Sequence, residues 1–184
     1  DRIKALNEIK QIIKDLNKAK AHIVGFSLGA QIALKFLNDH NNLIDKAVLV
    51  SPLIDSAKLD KAILSINTRI VGYGTKFAPV ARIASLFMGI DRERYSVFIR
   101  EQKCQRVNKL ASSILKDMLA SADIDNINNI DNSVLILSGA NEYSFFKRSS
   151  LKLKNAIKNS TLKFYTGAGH NIPFAYYKQF NNEL

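Results

Sequence analysis

The chain has 184 residues, 47% of them apolar, and 27 Lys and Arg against 16 Asp and Glu give a formal net charge of +11. That length and apolar content suit one folded domain with a sizeable core, and no stretch approaches the roughly 18 uninterrupted apolar residues of a membrane span. A single cysteine, Cys104, excludes an internal disulfide framework and fits a reducing, cytoplasmic setting.

The basic excess invites a nucleic-acid reading, but the lysines do not cluster. Lys10, Lys14, Lys18 and Lys20, and later Lys152, Lys154 and Lys158, fall mostly on the polar sides of helical patterns. They read as a solvated surface, and neither nucleic acid nor membrane is expected as a partner. No G-x-x-x-x-G-K loop, C-x-x-C pair or H-E-x-x-H spacing occurs, so no metal or organic cofactor is expected.

In chain order, Ile3, Leu6, Ile9, Ile13 and Leu16 recur at helical spacing and predict an amphipathic helix. The strand-like "HIVGF" follows at once, and then "GAQIALKFLNDH", a helix with Ile32, Leu34, Phe36 and Leu37 as buried candidates. "DKAVLVSP" is a second strand and "SVLILSG", Ser133 to Gly139, a third; a helix runs on through Leu151, Leu153 and Ile157. "TLKFYTG" is the fourth strand, and a short helix near Tyr176 ends the chain. Short apolar strands alternating with helices predict an α/β fold: a mostly parallel sheet of about four strands covered on both faces. Between the second and third strands, residues 54–132 show helical patterns such as "APVARIASLFMGI" and "VNKLASSILKDMLASADI" but no convincing strand. This interval is read as a helical cap inserted into a single domain spanning 1–184, with Phe77, Ile83, Leu86, Phe87, Met88 and Phe98 available to line a substrate pocket.

The first strand meets its helix at "GFSLG", a G-x-S-x-G pattern that chance alone gives in roughly one chain of this length in twenty. The strand-turn-helix context makes it informative. Ser27 sits at the sharp turn, where a strained backbone pushes the hydroxyl out at the carboxyl edge of the sheet. Gly25 and Gly29 are expected to let strand and helix pass without Cβ collisions. The helix N-terminus directs its free N–H groups at the same spot, so an oxyanion beside Ser27 can be stabilised by the Leu28 N–H.

A serine hydroxyl needs a base. His22 lies within the strand five residues before Ser27, and His40 ends the following helix, roughly 20 Å from its start at 1.5 Å per residue. His170, in "GAGHNIP" directly after the fourth strand, is the better placed. Glu142, in "LSGANEY" on the loop leaving the third strand, is the first choice for the acid that orients it, with Asp55 in "SPLIDS" as the alternative and a merely solvated Glu142 as the third reading. The order Ser27, Glu142, His170 is the nucleophile, acid, base order of an α/β sheet enzyme.

With these motifs in place the chain resembles the α/β-hydrolase superfamily, in particular its capped branch of esterase-like and carbon–carbon-bond hydrolase-like enzymes. The resemblance runs over nearly the whole chain, through "HIVGFSLGA", "KAVLVSP", "VLILSGANE" and "GAGHNIP". It implies a serine hydrolase acting on a small-molecule ester, thioester or related carbonyl substrate, with an acyltransferase or carbon–carbon lyase, or a non-catalytic ligand-binding fragment, as the competing classes. In relatives the acid stands three residues after the glycine ending the strand, which here is Glu142 after Gly139 and is more often Asp. Relatives also carry about four strands ahead of the elbow, including the loop that supplies a second oxyanion donor. The chain opens "DRIKALNEIK", without an initiator Met, and is therefore expected to be the carboxyl-terminal part of such a fold, with an upstream segment or a second copy covering the edge of the first strand.

Overall fold

Apolar residues that alternate along four short strands build a sheet with two different faces. The computed structural model of the chain describes residues 2–54, 77–87 and 130–184, with positions 62, 65, 95–97, 99, 100 and 127 between them. Its elements are α1 (Arg2–Asp15), β1 (Ala21–Phe26), α2 (Leu28–Asp39), a 3₁₀ turn (Asn41–Leu43), β2 (Ile44–Val50), α3 (Ala78–Phe87), β3 (Ser133–Gly139), α4 (Ser144–Ala156), β4 (Ser160–Tyr165), α5 (Ile172–Ala175) and α6 (Tyr177–Asn181). The strands lie in the order β1-β2-β3-β4, and every neighbouring pair is parallel. This is the α/β sheet that the alternation predicts.

The two faces separate residue by residue. Leu49 of β2 and Val134 and Ile136 of β3 point to one side, where Leu34, Phe36 and Leu37 of α2 meet Ile13 of α1 and Leu153 and Ile157 around α4. Val48 and Val50, and Leu135 and Leu137, point to the other, against Ala168, Ile172 and Phe180 in and beside the two short terminal helices. Pro173 in the first turn of α5 fits there because an opening helix turn leaves its N–H groups unbonded in any case.

Amphipathic helices bury less of their predicted stripe than the sequence implies. On α1, Ile13 is buried and Leu6 and Ile9 are half-buried against the core, but Ile3 is 69% and Leu16 62% exposed. A straight helix against a twisted sheet touches it along its middle, and Leu16 already lies beyond the last helical residue. On α2, Leu34, Phe36 and Leu37 are fully buried while Ile32 is only half-buried. Gln31 takes the inner position instead, where its amide donates to the carbonyl of Leu53.

The described ends of the 54–132 interval meet on the same face of the sheet. Ile54 closes the β2 end, its N–H donating to Ser149 Oγ at 3.1 Å, and Ile127 and Ile130 re-enter the apolar cluster that contains Ile54. Of the two helical patterns expected in the interval, the first corresponds to α3, on which Ile83 is 56% exposed, and Phe77 just before it is 68% exposed. The second pattern, with Asp55, Met88, Phe98 and the side chains of Leu86 and Phe87, lies outside the described residues. Among the described residues no helix is long and apolar enough to cross a membrane.

The strand-to-helix crossing rests on one glycine of the pair. A Cβ at Gly25 would stand 2.4 Å from the Gly29 carbonyl oxygen and 2.8 Å from Ala30 Cα, whereas at Gly29 nothing among the described residues lies within 4 Å. Gly29 is thus spare, because its own carbonyl and not its side-chain position makes the contact. Gly25→Ala is expected to lower the melting temperature sharply or prevent folding, while Gly29→Ala, in the first turn of α2, stays neutral or gains up to about 1 kcal/mol from helix propensity. Thermal unfolding of the two variants checks the asymmetry; equal losses would contradict it.

Candidate active site

Ser27 sits where β1 gives way to α2, with φ 54° and ψ −116°, a left-handed φ that a serine adopts only under constraint. The constraint is visible on both sides. Its N–H donates to the Val50 carbonyl at 2.9 Å, and its carbonyl accepts from Ala30 at 3.0 Å as the helix begins. Leu28 is the first residue of α2, so its N–H is one of the donors a helix leaves without an intrahelical acceptor.

The acid loop and the histidine loop are held together by backbone. Asn141 N–H donates to the Ala168 carbonyl at 2.9 Å, and Ala140 N–H to the Tyr165 carbonyl at 3.0 Å. Gly139 permits this approach: a Cβ there would fall 2.4 Å from the carbonyl oxygens of both Ala168 and Gly169. With the loops fixed, Glu142 reaches His170, and His170 reaches Ser27.

The distances form a continuous relay. Glu142 Oε1 lies 2.6 Å from His170 Nδ1, and His170 Nε2 lies 2.8 Å from Ser27 Oγ. A carboxylate can only accept, so the proton sits on Nδ1 and the lone pair of Nε2 faces the Ser27 hydroxyl, which donates to it. The second carboxylate oxygen, Oε2, accepts from Ser138 Oγ at 2.6 Å and from Gly139 N–H at 3.0 Å. The imidazole stands between two aromatic rings, Phe146 at 4.4 Å and Phe26 at 5.0 Å between centroids, whose faces favour a positive ring.

Burial grades along the relay. The Glu142 side chain is wholly buried, and that of His170 is 34% exposed at the open end where Ser27 lies. Burial, the largest single influence on Glu142, favours its neutral form. The hydrogen bond and charge of His170 and the hydroxyls of Ser138 and Ser51 together outweigh it and hold the carboxyl below the ordinary glutamate value of 4.5.

Over this geometry, a family model described as the alpha/beta hydrolase fold matches residues 3–175. The chain belongs to that family. Hydrolase-fold relatives of known structure agree with it in architecture. An alpha/beta hydrolase enzyme from a Medee basin deep-sea metagenome library superposes with a TM-score of 0.73 at 20% identity, over 97% of this chain and 68% of that one. A serine hydrolase from the polyaromatic-hydrocarbon-degrading bacterium Cycloclasticus zankles gives 0.76 at 19% identity over 97% and 67%. The 2-hydroxy-6-oxo-6-phenylhexa-2,4-dienoate hydrolase of Rhodococcus sp. strain RHA1 gives 0.79 at 16% identity, also over 97% and 67%. No curated protein matches the chain.

In this hydrolase fold the three residues singled out by motif, Ser27, His170 and Glu142, come together, and the other two histidines lie elsewhere. His22 faces Asp45 at 3.6 Å on the exposed edge of β1, and the His40 ring packs on Phe36 at the far end of α2. Two residues near the site escape the motif reading, Ser51 and Ser138, each fully buried. Their only trace in the sequence is a serine closing an apolar strand run, in "AVLVS" and "VLILS".

A lowered Glu142 pKa makes a signed prediction. The ionised carboxylate contributes stability that is fully present above the ordinary value of 4.5 and is lost as pH falls through its lower folded value. Urea midpoints measured between about pH 6 and pH 3 should therefore fall more steeply for the native chain than for Glu142→Gln. Parallel curves would mean that the fold does not favour the ionised form.

Proposed function

We propose that the chain is a serine hydrolase that cleaves an ester, thioester or related carbonyl substrate of small size through an acyl-enzyme on Ser27. The observation carrying this reading is the unbroken hydrogen-bonded relay from Ser27 through His170 to a buried Glu142 at the carboxyl edge of a parallel sheet. Membership of the hydrolase-fold family supports it, as do neighbours described as a serine hydrolase and a marine microorganism esterase.

The chemistry follows from the relay. As Ser27 Oγ attacks the substrate carbonyl carbon, its proton passes to His170 Nε2, so a negative serine oxygen is never released into water. Glu142 remains ionised and holds the imidazolium that forms; Phe26 and Phe146 add the attraction of their ring faces. The carbonyl oxygen becomes an oxyanion beside the N-terminus of α2, where the Leu28 N–H is positioned to donate, a contribution worth about a hundredfold or more in rate for each such donor. His170 then protonates the leaving group, and the same imidazole activates water to release the acyl group and restore Ser27. The 54–132 interval, anchored at Ile54 and Ile130, is the segment proposed to select the acyl group as a cap.

Steady-state hydrolysis of a short activated ester tests the reading. Ser27→Ala and His170→Ala should each lose on the order of a thousandfold or more in kcat, and the double variant should lose no more than either alone. Additive losses would contradict a shared mechanism, and unchanged turnover in Ser27→Ala would exclude this serine as the nucleophile. A nucleophilic alcohol added to the same assay divides the acyl group between water and acceptor, and strong preference for the alcohol would reassign the chain to acyl transfer.

A further inference from the structure

Glu142 uses only one of its two oxygens on His170. The other, Oε2, belongs to a wholly buried side chain and would be an unsatisfied negative atom without its own donors. The local turn supplies one of them: Glu142 N–H closes on the Gly139 carbonyl at 3.2 Å, and Gly139 N–H returns to Oε2 at 3.0 Å. This turn is complete without any help from Ser138. Yet the Ser138 hydroxyl, fully buried at the carboxyl end of β3, points at the same oxygen and makes the shorter bond, 2.6 Å. A glutamate has three side-chain rotors, so a single bond to Oε1 would leave its carboxylate plane free to turn; two donors on Oε2 fix that plane with Oε1 aimed at Nδ1.

Ser51 stands on the opposite side of β3, at the carboxyl end of β2. It is fully buried and left-handed at φ 51°, held by its N–H bond to the Leu137 carbonyl at 2.8 Å. Its hydroxyl has no hydrogen bond of good geometry among the described residues, but it is near enough to Glu142 to favour the carboxylate.

We infer that Ser138 is a positioning residue that locks the Glu142 carboxylate toward His170. The inference rests on the reading of Glu142 as the acid of the relay. Ser138 touches neither substrate nor the reacting atoms; it acts on turnover only through Glu142. Losing its hydroxyl leaves Oε2 with one donor and lets the carboxylate rotate away from the imidazole.

The deciding experiment combines a spectroscopic and a kinetic readout on the full chain. The proton on His170 Nδ1, shared with Glu142 at 2.6 Å, should give a far-downfield resonance in the native protein. Ser138→Ala should broaden or remove it and lower kcat for an activated ester by about tenfold with KM unchanged, and Ser138→Thr, which keeps the hydroxyl, should restore both. In a Glu142→Ala background Ser138→Ala should have no further effect on kcat, because the two residues act as one unit. An unchanged resonance and kcat in Ser138→Ala would overturn the inference. So would a kcat loss of the same size in the Glu142→Ala background, which marks a general structural defect. Should Ser138→Ala fail to fold, Ser138→Cys, which fills the same place with a much weaker donor, carries the same test: a weakened resonance and a lower kcat support the inference, and native values of both overturn it. If the native chain shows the resonance but does not turn over ester, the hydrolase reading fails by itself, and the response of the resonance to Ser138→Ala still decides the positioning role.

Discussion

The hydrogen-bond ladder of the parallel sheet continues past the ends of its strands, and the site is built on that continuation. Beyond β1, Ser27 N–H donates to Val50; beyond β2, Ser51 N–H donates to Leu137; beyond β3, Ala140 N–H donates to Tyr165. Each bond fixes the first residue of a loop to the last residues of the next strand, so the loops leave the sheet in fixed directions. Two of these first residues, Ser27 and Ser51, are forced into left-handed backbone, the conformation that turns the chain sharply while keeping the ladder bond. Without the ladder there is nothing to hold either serine in that conformation, which a non-glycine residue leaves when free to do so. Gly25 and Gly139 meet the same demand in another way, by removing the Cβ atoms that would stop helix and loops from closing on the strand ends.

A second balance sets the charge. A buried carboxylate is costly, and here burial is the strongest single influence on Glu142, pushing toward the neutral acid. The fold answers with donors rather than with solvent: His170 on Oε1, Ser138 and Gly139 on Oε2, and Ser51 close by. Their combined effect keeps the group ionised, and an ionised Glu142 in turn specifies which nitrogen of His170 carries the proton. The orientation of a single hydroxyl on Ser27, 143 residues away from His170 in the chain, thus depends on donors buried at the carboxyl end of the third strand.

Much of this was legible in the sequence, and the reasons for the rest are physical. The four strands and their parallel pairing followed from short apolar runs alternating with helices, because a helix that crosses back between two strands leaves them parallel. The elbow at Ser27 was legible because a sharp turn between strand and helix needs small residues at fixed offsets. Glycine spacing alone, however, could not tell Gly25, which is crowded, from Gly29, which is open; that distinction depends on whose carbonyl lies opposite. Nor could helical periodicity show that Ile3 and Leu16 stay exposed or that Gln31 takes an inner place ahead of Ile32, since both depend on how far each helix overlaps the sheet. Ser51 and Ser138 read as ordinary strand-ending serines, because what a strand-end hydroxyl meets depends on the turn that follows; at Ser138 that turn brings Glu142, four residues on, back onto it.

The central claim is that these loops make Ser27 a nucleophile. Intact-mass and peptide analysis after brief exposure to a fluorophosphonate tests it most directly, because the reagent forms a stable adduct only on an activated serine. The account predicts one adduct per chain, on the peptide containing Ser27, formed rapidly in the native protein and far more slowly in His170→Ala. An adduct on another serine, or equal labelling of Ser27 with and without His170, would contradict it.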